Sequence, residues 1–340
     1  MTVVSTFFYF LLSLSATVMV TASAAEPAFP HYGAELEGFN FPYTIHKFSF
    51  ASQGQTVTMG YIDIHPQENA NGLTVVLMHG KNFCGVTWQN EIDALSRNGY
   101  RVIAPDQIGF CTSTKPAHYQ YSFQQLAANT RHLLDSLHLT QFILIGHSTG
   151  GMLATRYALM YPQQVQKLVL VNPIGLEDWK AKGVPWRGVD DWYQRELKVT
   201  VASIKKYELS TYYVGKWKPE YDRWVTMLAG LNNGPGHRRV AWNSALLYDM
   251  IFTQPVYYEL KNLTVPTTLM IGTADNTAIG SDIASPQVKS KIGHYDVLGK
   301  QAAAQIPRAT LIEFQGMGHA PQMEDPGRFN QTLLEDLKRF

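Results

Sequence analysis

The chain has 340 residues, room for one large domain with an insertion or for two small domains. Apolar residues make up 45% of it and charged residues 16%, a balance that suits a large buried core and excludes a disordered chain. Lys and Arg number 28 against 27 Asp and Glu, so no general field attracts nucleic acid or an acidic surface, and nucleic-acid binding is set aside.

Phe7 to Val20 (FFYFLLSLSATVMV) is apolar and runs into Thr21-Ala22-Ser23-Ala24-Ala25 and then Glu26-Pro27. The pattern predicts a secretory signal peptide over residues 1–25, cleaved in A-x-A fashion after Ala24 or one residue later. No Lys or Arg precedes the run, which leaves an uncleaved membrane anchor as the alternative. The run is short of the ~20 residues a spanning helix needs, and Ser and Thr interrupt it. No Cys follows it to carry a lipid. The expectation is an exported protein, periplasmic or secreted, with no stable membrane insertion after cleavage.

A lead-in bearing Pro and Gly precedes Ile45–Phe50 and Met59–Ile64, whose alternation predicts two half-exposed antiparallel strands. The pattern then changes to short apolar runs, Leu73–Met78, Tyr100–Ala104, Phe142–Ile145 and Lys167–Val171, which suit strands buried on both faces of a parallel sheet. Helix-like segments lie between them, at Trp88–Asn98, Ser122–Leu137 and Gly151–Met160, the rhythm of βαβ units. Thr267–Ile271 and Thr310–Phe314 add two strands, and Pro326–Phe340 reads as a closing helix. The fold class is α/β, a mostly parallel eight-stranded sheet flanked by helices.

From about Leu176 to Leu260 the rhythm stops. This interval is rich in Trp and Tyr, its helical patches are cut by Gly and Pro, and it holds no buried-strand pattern. It is too long for one loop of a compact domain. The reading is a helical cap over 176–260 inserted in a core made of 26–175 and 261–340.

Ile145-Gly146-His147-Ser148-Thr149-Gly150-Gly151 fits G-x-S-x-G between a buried strand and a helix, the setting in which a tight turn projects a nucleophilic serine. His147, next to Ser148 on that turn, points elsewhere and is read as structural. A serine needs a base, and the base needs an orienting carboxylate. Asp275 follows the strand ending at Ile271, and His319 sits in Gly316-Met317-Gly318-His319 after the last strand. Strand ends on one edge of a parallel sheet converge, so Ser148, Asp275 and His319 can meet there. Asp282 and Asp296 are the rival carboxylates, and Asp275 is preferred. The oxyanion donors expected are the N–H of Thr149 and, from the loop His79-Gly80-Lys81-Asn82-Phe83-Cys84-Gly85, that of Lys81, with Asn82 second through its backbone or amide. The Lys81 side chain is read as solvated.

Together these residues resemble the α/β-hydrolase superfamily over nearly the whole mature chain: His79-Gly80, Pro105-Asp106-Gln107-Ile108-Gly109-Phe110, the Ser148 motif, Asp275 and Gly318-His319. The order of motifs and the cap look most like the branch holding esterases, lactonases, C–C bond hydrolases, epoxide hydrolases and haloalkane dehalogenases. Ser at 148 argues against the last two, whose nucleophile is Asp, and Lys81-Asn82-Phe83 departs from the H-G-G-P-G of proline iminopeptidases. In the D-x-x-G-x-G-x-S loop of the α/β-hydrolase family, Cys111 stands where Gly is usual. In the family's sheet order the strands before Cys84 and Cys111 are neighbours, which, with export, implies a Cys84–Cys111 disulfide pinning the oxyanion loop.

The resemblance implies a serine hydrolase cleaving a carboxylic ester through an acyl-enzyme, with no metal or organic cofactor. A small-molecule substrate, apolar or aromatic, is expected from the cap's composition, although most of those aromatics are expected to pack the cap itself. Amide, lactone or C–C bond hydrolysis with the same residues stands as the alternative, and a non-catalytic receptor on the same fold as a remoter one.

Overall fold

Eight strands pair into one sheet: β1 (His46–Ser52), β2 (Gln55–Ile64), β3 (Thr74–Met78), β4 (Arg101–Pro105), β5 (Phe142–His147), β6 (Val165–Val171), β7 (Thr267–Gly272) and β8 (Ala309–Phe314). Their order is β1-β2-β4-β3-β5-β6-β7-β8; β2 runs antiparallel to both its neighbours and every other pair is parallel. The computed structural model describes residues 1–2, 29–66 and 69–339, so the expected export segment lies, beyond its first two residues, outside the described residues.

The sequence pattern explains which strands go where. β3, β5 and β7 are buried along their whole length, as continuous apolar runs require in the middle of a parallel sheet. β8 is mostly half-exposed because it closes one edge. The first two strands are longer than their alternation suggests. They meet in a two-residue turn, Gln53-Gly54, with φ of 51° and 72°, and Ser52 pairs with Gln55 across it.

The helices of the sheet layer are α1 (Gln89–Arg97), α2 (Phe123–Ser136) and α3 (Thr149–Met160). Between β6 and β7 come four more, α4 (Val189–Glu196), α5 (Val201–Thr211), α6 (Asp222–Asn232) and α7 (His237–Thr253). Two short turns, α8 (Pro286–Lys289) and α10 (Pro321–Glu324), and two longer helices, α9 (Tyr295–Gln305) and α11 (Pro326–Lys338), complete the chain. α2 is capped by the Ser122 hydroxyl, which accepts from the Gln125 N–H. α3 begins at Thr149, two residues earlier than the glycines of its first turn suggest.

α4–α7 rest on the loops at the carboxyl ends of the strands. The Lys81 ammonium donates to Ser244 on α7, the Tyr121 hydroxyl donates to Asn243, and the Cys84 sulfur lies 3.9 Å from that of Met227 on α6. The lead-in lies against the same helices: the Tyr32 N–H donates to the Gly230 carbonyl, and a Cβ at position 234 would collide with the Tyr32 carbonyl.

Cys84 and Cys111, in the loops after the adjacent strands β3 and β4, form a disulfide with Cα atoms 5.7 Å apart and no free cysteine among the described residues. Closing a loop across a separation of 27 residues restricts the unfolded chain by about 3.5 kcal/mol. The Cys84→Ala/Cys111→Ala double variant is therefore expected to lose roughly 2–4 kcal/mol in urea unfolding. Wild-type stability that does not change on reduction would contradict this.

Candidate active site

The site begins with a sharp turn. β3 and β5 pair in parallel with Met78 beside Gly146, so two residues further on Gly80 and Ser148 face each other. A Cβ at position 80 would stand 2.9 Å from that of Ser148. Ser148 itself has φ 55° and ψ −121°, a conformation that costs a side-chain-bearing residue about 1–3 kcal/mol. Backbone bonds hold it there: its N–H donates to the Val171 carbonyl, and its own carbonyl accepts from Gly151 and Ile174. The side chain is left at the amino end of α3, where the helix dipole favours developing negative charge.

The structure brings Ser148, His319 and Asp275 into one hydrogen-bonded line. The Ser148 hydroxyl donates to His319 Nε2 at 2.8 Å, and the His319 Nδ1–H donates to Asp275 Oδ2 at 2.7 Å. All three are buried. The carboxylate of Asp275 is fully engaged, since Oδ1 accepts from both the N–H and the hydroxyl of Thr277 and Oδ2 also accepts from Asn172. The rivals fall elsewhere: Asp282 pairs with Arg187, and Asp296 is exposed on α9.

Asn172 is a residue that sequence reasoning missed. It follows β6, the strand between those carrying Ser148 and Asp275, in a left-handed conformation at φ 36°. Its amide donates to Asp275 Oδ2 at 2.8 Å, and its oxygen accepts from the Gly272 N–H at 2.8 Å. The signal was a polar residue directly after a fully apolar run, Leu168–Val171, at the same sheet edge.

His147 does turn away from the serine. Its Nε2–H donates to the His319 backbone carbonyl at 2.8 Å, and its ring packs between Phe83, Trp88 and the His319 ring. Burial, with His319 beside it, pushes its proton affinity well down, so the ring is neutral. It thus holds the backbone of the second histidine rather than its proton. From the other side, the His319 N–H donates to the Thr211 carbonyl at the end of α5.

The loop after β3 lies over the turn. Among the described residues, the N–H groups of Lys81 and Asn82 donate to no other protein group, and neither does that of Thr149 at the start of α3. His79 secures the loop from within: Nδ1–H donates to the Gly80 carbonyl, and Nε2 accepts from the Gln107 N–H. Asp106 ties it to the next loop, accepting from Gly85 N–H on one side and from Thr112 N–H and hydroxyl on the other. Cys111, at φ 39°, keeps the left-handed backbone of the position where the resemblance has Gly, and its disulfide to Cys84 and the Lys115 ammonium on its carbonyl hold it there.

The Lys81 side chain is not solvated, contrary to expectation. It is 7% exposed because α4 and α7 cover it. Its ammonium lies 2.7 Å from the Ser244 hydroxyl, 3.8 Å from Glu196 and 3.6 Å from the centre of the Tyr248 ring. A cation can be buried on these terms because an acceptor, a carboxylate and an aromatic face replace its water.

A cavity of about 620 Å³ opens between this loop and α4–α7. Phe83 and Tyr212 line it, and their rings also contact His147 and His319, so a single layer of side chains lies between the cavity and the two histidines. The insertion's aromatics divide between two tasks: Tyr207, Tyr212 and Tyr248 line the cavity, while Tyr213 and Tyr221 stack on each other in the insertion's own core.

A family model described as alpha/beta hydrolase fold matches residues 74–326. The 2-hydroxy-6-oxo-2,4-heptadienoate hydrolase of Pseudomonas putida is 31% identical over 202 residues, covering 53% of this chain and 72% of that protein. A solved structure from Pseudomonas aeruginosa PAO1, described as a "probable hydrolytic enzyme", is 61% identical with a TM-score of 0.89, covering 90% of this chain and 98% of that one. An esterase from Exiguobacterium antarcticum shares the fold at 20% identity and a TM-score of 0.66, covering 83% of this chain and 96% of that one.

The Asn172→Ala variant strips Asp275 of a donor and the Gly272 N–H of its acceptor. A loss of about 1–3 kcal/mol is expected in urea unfolding. An unchanged midpoint would show that Asn172 does not hold the carboxylate.

Proposed function

The chain belongs to the α/β-hydrolase fold family, and from that premise we propose that it is a serine hydrolase cleaving a carboxylic ester or closely related carbonyl substrate through an acyl-enzyme. The observation that carries this is the line of short hydrogen bonds from Ser148 Oγ through His319 to Asp275, mounted on a strained turn at the head of a helix. In this mechanism His319 Nε2 takes the hydroxyl proton as Ser148 Oγ attacks the carbonyl carbon. Asp275, held by Asn172 and Thr277, keeps Nδ1 protonated and stabilises the imidazolium. The tetrahedral oxyanion is received by the N–H groups of Thr149 and Lys81, with Asn82 beside them; one such donor is worth about 3 kcal/mol in the transition state. The imidazolium then protonates the departing alkoxide. Water, deprotonated by the same nitrogen, attacks the acyl carbon and releases acid and free Ser148.

The cavity supports a small-molecule substrate, with Phe83, Tyr212, Leu228 and Leu231 giving it apolar walls. A second reading, hydrolysis of a C–C bond next to a carbonyl, is favoured by the likeness to the Pseudomonas putida hydrolase and uses the same serine. We place the enzyme outside the cytoplasm: the apolar run before Glu26 and the Cys84–Cys111 disulfide support export.

Ser148→Ala is expected to lower turnover of p-nitrophenyl acetate and butyrate by roughly 10⁴–10⁶ in kcat. Equal activity in that variant would remove Ser148 from the mechanism. A panel of esters, lactones, aminoacyl anilides and vinylogous diketones, run on both proteins, separates the ester reading from the C–C one.

A further inference from the structure

Glu208 lies on α5, in the wall of the cavity, and is 1% exposed. Neither of its carboxyl oxygens has a hydrogen-bond partner, and among the described residues no basic side chain pairs with it. The other carboxylates of the cavity are matched or solvated: Glu196 accepts from Ser244 and Arg195, Asp282 from Arg187, and Asp191 is exposed to water. A buried carboxyl left without partners costs stability, so no contact within the fold accounts for Glu208. Burial pushes its pKa up to about 8, which leaves it protonated at neutral pH, with one O–H donor and one C=O acceptor free.

Its position gives those free atoms a use. Glu208 stands one helical turn, about 6 Å, before Tyr212, whose ring packs on His319, and the Tyr212 N–H donates to the Glu208 carbonyl. Glu208 and Tyr212 line the same cavity, so a substrate whose carbonyl sits at Ser148 and whose chain runs past Tyr212 into the cavity meets Glu208.

We propose that Glu208 is a specificity-determining residue, binding through paired hydrogen bonds a neutral substrate group that both donates and accepts, a hydroxyl or an amide, a few bonds beyond the reacting carbonyl. The inference rests on Ser148 as the nucleophile. A neutral partner is favoured over a substrate ammonium because the cavity wall carries Lys81, Lys115, Arg187, Arg195 and Lys198 against only Asp191, Glu196 and Asp282 besides Glu208, and a further cation would meet that net positive field. A site built to hydrogen-bond such a group rejects the analogue that lacks it, because its own polar atoms are then left unpaired.

The test uses the full chain and two matched ester pairs. One places the hydroxyl on the acyl side (p-nitrophenyl ω-hydroxyhexanoate against p-nitrophenyl heptanoate), the other on the alcohol side (hexanediol monoacetate against heptyl acetate). In the wild type the hydroxyl ester is expected to lead in kcat/KM by about tenfold or more in at least one pair. Glu208→Gln, still a donor and acceptor, keeps the preference. Glu208→Leu reverses it, and its thermal midpoint, at or above that of the wild type, shows that it folds. Taking the ratio within each variant cancels any general loss of activity.

The same ratio is read without turnover, by calorimetric binding of both pairs to Ser148→Ala and to Ser148→Ala/Glu208→Leu. If no ester is cleaved, the ester reading fails while the binding ratio still decides on Glu208. Ratios unaltered by Glu208→Leu in both readouts would reduce Glu208 to a packing residue and overturn the proposal. A wild-type preference for the matching ω-amino ester, lost in Glu208→Gln, would overturn it in favour of an ionised carboxylate recognising a cation.

Discussion

A Cβ at position 150 would stand 2.3 Å from the Met78 carbonyl oxygen and 2.5 Å from that of His79, and one at position 146 would stand 2.3 Å from the Gly150 carbonyl. These close approaches let β5 turn into α3 within a single strained residue while the end of β3 passes directly beside it. The rest of the site follows. Because the turn is so tight, the Ser148 hydroxyl leaves the sheet edge at the head of α3, level with the loop after β3. Because β6 and β7 continue the sheet in parallel, Asn172 and the loop bearing Asp275 arrive at the same height. His319 then needs only to reach back from β8, the next strand over.

Around that turn, three buried imidazoles are given different work by their hydrogen bonds. His79 and His147 are both kept neutral by burial, and each spends a ring nitrogen on backbone, the first on its own loop and the second on the carbonyl of His319. The third, His319, faces a hydroxyl and a carboxylate. The loop over the serine is similarly over-determined: Asp106 bridges it to the next loop on four donor and acceptor contacts, counting the Ser113 hydroxyl on its carbonyl, and the disulfide adds a covalent link at the same place. Donors held this firmly need no reorganisation as charge develops on a substrate, which is the property that makes preorganised dipoles effective.

The apolar rhythm of β3 to β7 announced a parallel sheet, and the turn chemistry of Gly146 to Gly150 announced what stands on its edge. Asp275 and His319 were legible for the same reason, since each sits in the short loop after a recognisable strand. The residues that were not legible act through contacts distant in sequence. Asn172 gains its meaning only from Asp275, 103 positions later, and Lys81 is buried by a serine 163 positions away. Glu208 was hidden differently. It occupies the inward side of α5 with Ile204 and Tyr212, where spacing alone predicts an apolar residue, and a carboxyl in that register was the available clue. The Gln53-Gly54 turn was missed because Gln is an unusual occupant of its left-handed first position.

The bond from the His319 N–H to the Thr211 carbonyl joins the end of α5 to the loop that carries the imidazole, and a Cβ at Gly318 would stand 2.4 Å from the Tyr212 carbonyl. The roof of the cavity and the support of the histidine are therefore one piece of backbone. A roof of this kind does not behave as a free lid. A displacement that lifts α5 from the sheet edge takes from His319 one of its two backbone bonds, leaving the one to His147, so opening the roof there loosens the histidine. Among the described residues the parts of the insertion away from α5 make no such backbone bond to His319, so on the proposed mechanism movement there gives a path to Ser148 without disturbing the histidine.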